Sequence, residues 1–291
     1  MAGANTTTIE LLKKYNFPIQ KKYGQNFLVD DNILEGIVRA AQVSETDTIL
    51  EIGPGLGALT GVLCRAADQG RVIAVEVDKL LIPILKESLG EYENLTVINE
   101  DILKVDLSEL LSEEDGVARE KARVVANLPY YITTPVILEL LDKSRFIKSI
   151  TVMVQKEVAE RMQEGPGSKS YGALSLAVQY YALPNYIMTV SRNCFLPRPD
   201  VDSAVIRLDL YEEEDRPVKP KDPEKMFRII RAAFNQRRKT LANAVSHDAS
   251  LGFSREEIVS ALREMQLSET IRGEALTLEQ FSRLSDLLGT L

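Results

Sequence analysis

The sequence predicts an α/β protein, with a mostly parallel sheet clothed in helices and a small all-α domain after it. Three observations carry this reading. Apolar, β-branched runs at 48–52, 71–78, 95–99 and 123–126 alternate with amphipathic stretches, the pattern of strand–helix–strand crossovers. A glycine turn, Gly53-Pro54-Gly55-Leu56-Gly57, joins the first run to the helical stretch that follows it. From Glu224 onward there is no strand signal, only helical spacing such as Ile258, Leu262, Met265 and Leu278, Phe281, Leu284, Leu288. The expected organisation is an α/β domain over 1–211, with a leader and first helix in 1–35, a linker over 212–223 and a helical domain over 224–291. A chain of 291 residues can bury a core of that size.

The first β-α-β unit is the most informative segment. Thr48–Ile52 reads as a strand, the glycines as a tight loop, and Leu56, Leu59, Val62 and Leu63 as the apolar face of a helix. Glycine admits positive φ and lets a ligand approach the backbone. The helix start behind it offers free N–H groups. A second strand, 71–78, carries Glu76, roughly 20 residues past the first glycine, where a Rossmann-type unit sets an acid against ribose hydroxyls. Residues 48–78 therefore read as a nucleoside-binding unit. The spacing Gly53-x-Gly55-x-Gly57 is not the dinucleotide G-x-G-x-x-G. Glu51 would also be a poor neighbour for a pyrophosphate and a good one for a cationic amino-acid moiety bearing a sulfonium. A third strand, 95–99, leads to Asp101, placed to accept from an adenine amino group with Ile102 against the ring.

The fourth run ends in Asn127-Leu128-Pro129-Tyr130. Leu128 precedes a proline and is biased to extended geometry. The Asn127 side-chain oxygen and the Leu128 carbonyl are two acceptors beside an aromatic face, an arrangement suited to a planar amino-bearing base. Thr134–Leu141 and Tyr171–Tyr181 read as helices, Ser149–Val154 as a buried strand of the parallel-sheet type, and Ser203–Leu210 as an alternating late strand. Acidic clusters with Pro217, Pro220 and Pro223 mark the linker.

Composition is ordinary for a globular protein, at 45% hydrophobic and 27% charged residues. The net charge of −8 is unevenly placed. Acidic runs lie at 113–115 and 212–215, while Lys13, Lys14, Lys21 and Lys22 gather near the start and Lys225, Arg228, Arg231, Arg237, Arg238 and Lys239 near the end. Helical periodicity would set Arg228, Arg231 and Arg238 or Lys239 on one face, a candidate phosphate grip. No stretch is long and apolar enough to span a membrane, and a signal-peptide core is absent, so a cytoplasmic location is expected. Cys64 and Cys194 are isolated and read as reduced thiols; with the single His247 they offer no metal-ligand spacing.

The glycine loop, Glu76, Asp101 and Asn127-Leu128-Pro129-Tyr130 together resemble the S-adenosylmethionine-dependent N6-adenine methyltransferases. Three further segments narrow the resemblance. Tyr23-Gly24-Gln25-Asn26-Phe27-Leu28 looks like that family's N-terminal cofactor motif, which would add Asn26 and Leu28 to the cofactor site. Phe195-Leu196-Pro197-Arg198-Pro199 looks like the motif that sets an aromatic against the target base. Phe234–Leu241 looks like the C-terminal signature of the small-subunit ribosomal RNA adenine dimethyltransferases of the KsgA type. The resemblance runs from about Lys21 to the C-terminus. It implies S-adenosyl-L-methionine as cofactor, held by Asn26, Leu28, Glu51, Gly53, Gly55, Gly57, Glu76, Asp101, Ile102 and Asn127. Catalysis would fall to Asn127, Leu128, Pro129, Tyr130 and Phe195, with no metal. It implies 16S rRNA in the 30S subunit or its precursor as partner, gripped by Lys21, Lys22, Arg228, Arg231, Arg237, Arg238 and Lys239, and a monomeric enzyme that dimethylates two adjacent adenosines in the 3′-terminal hairpin loop. Three alternatives stay open: a large-subunit rRNA dimethyltransferase of the antibiotic-resistance type, an assembly factor whose main role is non-catalytic, and an NAD-dependent dehydrogenase, against which the glycine spacing speaks.

Overall fold

A computed structural model describes residues 4–20, 24–111 and 121–289. Lys21, Lys22 and Tyr23 and the acidic run at 113–115 lie outside the described residues. In chain order the elements are α1 (Ala4–Lys14), β1 (Phe27–Leu28), α2 (Asp31–Ala41), β2 (Thr48–Ile52), α3 (Ala58–Ala66), β3 (Arg71–Glu76), α4 (Ile82–Ser88), β4 (Leu95–Asn99), α5 (Leu107–Leu111), β5 (Ala122–Asn127) and α6 (Thr133–Asp142). They continue as β6 (Ile147–Gln155), α7 (Lys156–Gln163), α8 (Ala173–Tyr181), β7 (Ala182–Val190), β8 (Phe195–Leu196), β9 (Ser203–Leu210), α9 (Pro223–Asn235), α10 (Leu241–Ser246), α11 (Arg255–Glu264) and α12 (Leu278–Leu287). They form two compact units, residues 1–159 with 184–210, and residues 160–183 with 211–291.

The first unit is built on a seven-stranded sheet of order β4-β3-β2-β5-β6-β9-β7. Strands β4, β3, β2, β5 and β6 run parallel, and β9 pairs antiparallel to β6. The central strands are buried on both faces: Ile49, Leu50 and Ile52 of β2, Val72, Ile73 and Val75 of β3, and Val124, Val125 and Ala126 of β5. Strands covered on both sides read as continuous apolar runs. The same burial explains why β9 does not alternate as expected: Ser203 through Leu208 are all buried. Helix α2 starts where the Asp30 carboxylate accepts from the Asn32 and Ile33 N–H groups at 3.0 and 3.3 Å, and stops at Gln42 in the left-handed region.

One buried ion pair ties three elements together. Arg123 of β5 donates from Nε to Asp47 Oδ2 at 2.7 Å, and from Nη1 to the Ala41 carbonyl at 3.2 Å and Ser149 Oγ at 3.3 Å. Burial alone would raise the Asp47 pKa, but the Ser44 N–H and the Arg123 guanidinium hold it below its usual value.

The second unit is helical. Ile229 and Ile230 of α9, Leu241 and Val245 of α10, Ile258 and Leu262 of α11, and Phe281 and Leu284 of α12 share one core. Helices α11 and α12 each open with a capping box, Ser254 with Glu257 and Thr277 with Gln280. The unit begins earlier than the expected boundary at 224. Tyr171, Leu176 and Tyr180 pack into its core, so residues 160–183 belong to it. The proline-rich stretch 212–223 is not free chain either. Val218 is in the same core, and the Arg216 guanidinium lies 5.1 and 5.0 Å from the rings of Tyr180 and Tyr181. An apolar residue and a cation–π clasp anchor a segment that composition marks as a linker.

The buried pair yields a test. Asp47→Ala strands the Arg123 charge and should lower stability by about 3–5 kcal/mol in denaturant unfolding. Asp47→Ala combined with Arg123→Met should recover most of that loss.

Candidate active site

The carboxyl ends of the parallel strands converge where the strand order reverses between β2 and β5. Ligands of open α/β sheets bind at such a point. Here a cavity of about 270 Å³ opens, lined by the loops after β2, β3, β4 and β5 and by residues 24–28. Most of the residues expected at the site meet in its wall: Asn26, Leu28, Glu51, Gly53, Gly55, Glu76, Asp101, Ile102, Asn127, Leu128, Pro129 and Tyr130.

Gly57 does not line the cavity; it shapes the turn. Its φ is +85°, and a Cβ there would lie 2.7 Å from Leu89 Cδ1. The helix behind it begins at Ala58, two residues later than the apolar pattern suggested, because Gly57 occupies its N-cap. Glu76 fixes the same loop from the next strand. Its carboxylate accepts from the Gly55 N–H at 3.2 Å and the Asp78 N–H at 2.8 Å. Burial pushes the Glu76 pKa up, and those two N–H groups pull against it. Asp78 is held in turn by the side-chain amides of Gln20 and Gln25, each at 2.8 Å.

Glu51 is the unusual member. It is 1% exposed, and its Oε2 has no hydrogen-bond partner. Burial pushes its pKa up to about 8, the neighbouring Thr60 hydroxyl offsets this in part, and the Glu76 charge adds to it. Asp101 uses one oxygen to accept from the Leu103 N–H at 3.1 Å, capping a short turn that buries Ile102. The charged residues in the cavity wall are Glu51, Glu76, Glu100 and Asp101; among the described residues no Lys, Arg or His joins them. Such a wall favours a cationic ligand and disfavours a pyrophosphate.

The Asn127 amide is oriented from outside its own strand. Its Nδ2 donates to the Asn26 carbonyl at 3.3 Å, which leaves Oδ1 as the acceptor end. The Leu128 N–H donates to the Met153 carbonyl at 3.1 Å, and the Tyr130 hydroxyl pairs with Ser203 Oγ at 2.8 Å. Tyr131, absent from the expected set, also lines the cavity and is 55% exposed. Its only sequence signal is its place beside Tyr130. Thr8 of α1 and Phe27 line the cavity as well.

Two expected groups lie outside the cavity or off the expected helix face. Phe195 is 4% exposed and packs with Leu28, Leu34, Met153 and Val190 instead of lining the cavity. Its strand β8 pairs with β1, placing it opposite Leu28 and turning the ring into the core. The basic helix face in the second unit is also not formed. Helix α9 ends at Asn235, so Arg237, Arg238 and Lys239 lie in the turn beyond it. Arg237 is spoken for by Glu274 Oε2, 3.1 Å from its Nη2, and by the Lys169 carbonyl at 2.9 Å. Arg228 donates to the Ser250 carbonyl. Lys225 is buried, with Nζ capping the Leu288 and Gly289 carbonyls at 2.9 and 3.0 Å. Arg231, Arg238 and Lys239 are exposed.

Comparison with known proteins decides the family. The model described as ribosomal RNA adenine dimethylase matches residues 16–285. The chain belongs to that family. It is 55% identical to a protein named ribosomal RNA small subunit methyltransferase A from Lachnoclostridium phytofermentans, over 98% of this chain and 97% of that one. Its fold matches the crystal structure of a dimethyladenosine transferase from Plasmodium falciparum with a TM-score of 0.68 and 26% identity, covering 88% of this chain and 94% of that one. The crystal structure of the 23S rRNA methyltransferase ErmE shares the fold, with a TM-score of 0.64, 24% identity and coverage of 90% and 99%. Membership in this family and the acid-lined cavity together set the dehydrogenase reading aside. No helix among the described residues is long and apolar enough to cross a membrane, and none of their His, Cys, Asp and Glu side chains cluster as a metal site.

The state of Glu51 sets a pH dependence. A carboxyl whose pKa is raised on folding adds stability that is full below its unfolded value of 4.5 and is lost as pH rises to about 8. Glu51→Gln should therefore stabilise the ligand-free protein at pH 8 by roughly 1–3 kcal/mol, with the gain shrinking toward pH 5, as read by thermal melts across pH.

Proposed function

We propose that this chain transfers methyl groups from S-adenosyl-L-methionine to N6 of adenosine in small-subunit ribosomal RNA, and that two adjacent adenosines of the 3′-terminal hairpin loop each receive two. One observation carries the reading: a cavity whose described charged residues are all carboxylates sits directly against an asparagine whose amide is already turned. The relatives named above as rRNA methyltransferases support the substrate class.

The residues fit the cofactor. Glu76, held by two backbone N–H groups, has lone pairs left for ribose hydroxyls. Asp101 keeps one oxygen for an adenine amino group, and the buried Ile102 supplies a flat apolar wall. Glu51 offers the counter-charge for a sulfonium-bearing amino acid. Gly53 and Gly55, both at positive φ, leave room against the loop backbone. When bound, the cofactor supplies an activated methyl group, so the protein's task is to aim the nucleophile.

The target N6 lone pair is delocalised into the purine ring. Asn127 Oδ1 and the Leu128 carbonyl each accept one N6–H, drawing the nitrogen toward a tetrahedral shape with its lone pair facing the methyl. Pro129, with no N–H, keeps the turn free of a competing donor. Tyr130 stacks on the flipped base, and Tyr131 offers a second ring in place of Phe195. Stacking of this kind is worth roughly 1–3 kcal/mol per base, against a cost of a few for extrusion. An unpaired loop base is therefore the favoured target. In the second unit Arg231, Arg238 and Lys239 contact phosphates, which adds affinity without sequence choice.

Three measurements test this. Asn127→Ala should retain fold and RNA binding while single-turnover methylation falls about 10²–10³-fold; a rate within threefold of wild type rejects the lone-pair mechanism. Glu76→Ala should weaken cofactor binding by about one to two orders of magnitude in calorimetry. Arg231, Arg238 and Lys239 changed together to Gln should weaken binding to small subunits and flatten its salt dependence, leaving cofactor affinity unchanged.

A further inference from the structure

Four carboxylates line the cavity, and three of them have hydrogen-bond donors aimed at them. Glu76 accepts from the Gly55 and Asp78 N–H groups. Asp101 accepts from Leu103 N–H, and Glu100 accepts from Asp101 N–H at 2.9 Å. Glu51 differs: its Oε2 is enclosed, lacks a partner and belongs to the cavity wall. The Thr60 hydroxyl nearby, on α3, is itself without a well-formed hydrogen bond. A buried carboxylate oxygen with no donor and no cation is expensive to ionise, so an empty cavity favours the protonated form.

Resting on the cofactor reading above, we propose that Glu51 reads the charge of the cofactor. It gives up its proton when the cationic sulfonium enters and takes one back when the ligand has become the neutral thioether. On entry the Glu51 O–H bond breaks and the proton passes to bulk water, leaving a carboxylate beside the positive sulfur. After methyl transfer the sulfur is uncharged, the carboxylate has lost that neighbouring positive charge, and a proton from solvent restores the acid. Substrate and product cofactor share their ribose, adenine, ammonium and carboxylate. The sulfur charge is what distinguishes them, and Glu51 gives the cavity a group whose protonation depends on it.

The neighbours leave Glu51 as the group that responds. Glu76 on β3 already accepts from two N–H donors, and its charge makes ionisation of Glu51 harder. Asp78 beyond it is tied by Gln20 and Gln25. Cys64, on the α3 face toward Glu51, has its pKa pushed up to about 12 by burial and by Glu51, with Arg65 opposing, so the thiol stays neutral. Glu100 and Asp101 after β4 are not deeply buried, and Tyr130, raised by burial, stays protonated.

Calorimetry of S-adenosylmethionine binding in two buffers of different ionisation enthalpy, at about pH 7, counts the protons released. The expected result is close to one proton for S-adenosylmethionine, distinctly fewer for S-adenosylhomocysteine, and none above background for Glu51→Gln with either ligand. A second measurement on the wild type needs no variant. Its affinity for S-adenosylmethionine should rise up to tenfold per pH unit below the Glu51 pKa and level off above it, with a shallower slope for S-adenosylhomocysteine. Equal proton counts for the two ligands, or a wild-type count matched by Glu51→Gln, overturn the inference while leaving the cofactor assignment in place. Failure of wild-type protein to bind S-adenosylmethionine at all overturns the cofactor reading instead.

Discussion

Strand β2 pairs in parallel with β3 on one side and with β5 on the other, and the site depends on that double pairing. It brings the ends of three strands to one edge, so that residues separated by about 75 positions in sequence, Glu51 to Asn127, face a single cavity. It also explains why the loops need so little of their own. The glycine turn is held through the Gly55 N–H by the acid at the end of the neighbouring strand. Asn127 is held by a backbone carbonyl from residues 24–28, which cross the same edge. The candidate binding groups thus sit at strand ends and on the loops that follow, and each loop borrows rigidity from an adjacent strand.

This arrangement accounts for what was legible in the sequence. Parallel strands buried on both faces announce themselves as apolar runs, so β2 and β4 fall where the pattern places them, and β5 ends at the expected Asn127. Strand ends and the turns after them carry local motifs, which is why Glu51, Glu76, Asp101 and Asn127 could be named in advance and share one wall. What stayed hidden depended on distant partners. Phe195 looks like a site aromatic by motif, yet pairing of β8 with β1 turns it inward. Strand β7, with exposed Leu183 and Ile187, lacks the apolar run of a buried strand and gives no clear signal. The proline-rich stretch 212–223 reads as a linker because composition cannot show that Val218 and Arg216 have docking partners. Helical periodicity across Arg228–Lys239 was persuasive because nothing local at Gln236 announces that α9 stops there.

The site also shows a conflict between folding and binding. Two carboxyl groups, on Glu51 and Glu76, are buried within a few residues of each other across adjacent strands, and no cation among the described residues neutralises them. A folding optimum would replace one with an apolar side chain, as is commonly stabilising for buried charges. The cationic cofactor proposed above would account for the presence of both. Binding energy then offsets a cost built into the empty fold, the usual trade between stability and activity at a preorganised site. The same logic separates the two ends of the protein's electrostatics. The cavity wall carries acids and no described cation, suited to a cation of fixed shape. Exposed Arg231, Arg238 and Lys239 in the second unit are positive and wet, suited to phosphates whose positions vary. A net charge of −8 is compatible with an RNA enzyme, since what RNA meets is a local surface and not the sum over the chain.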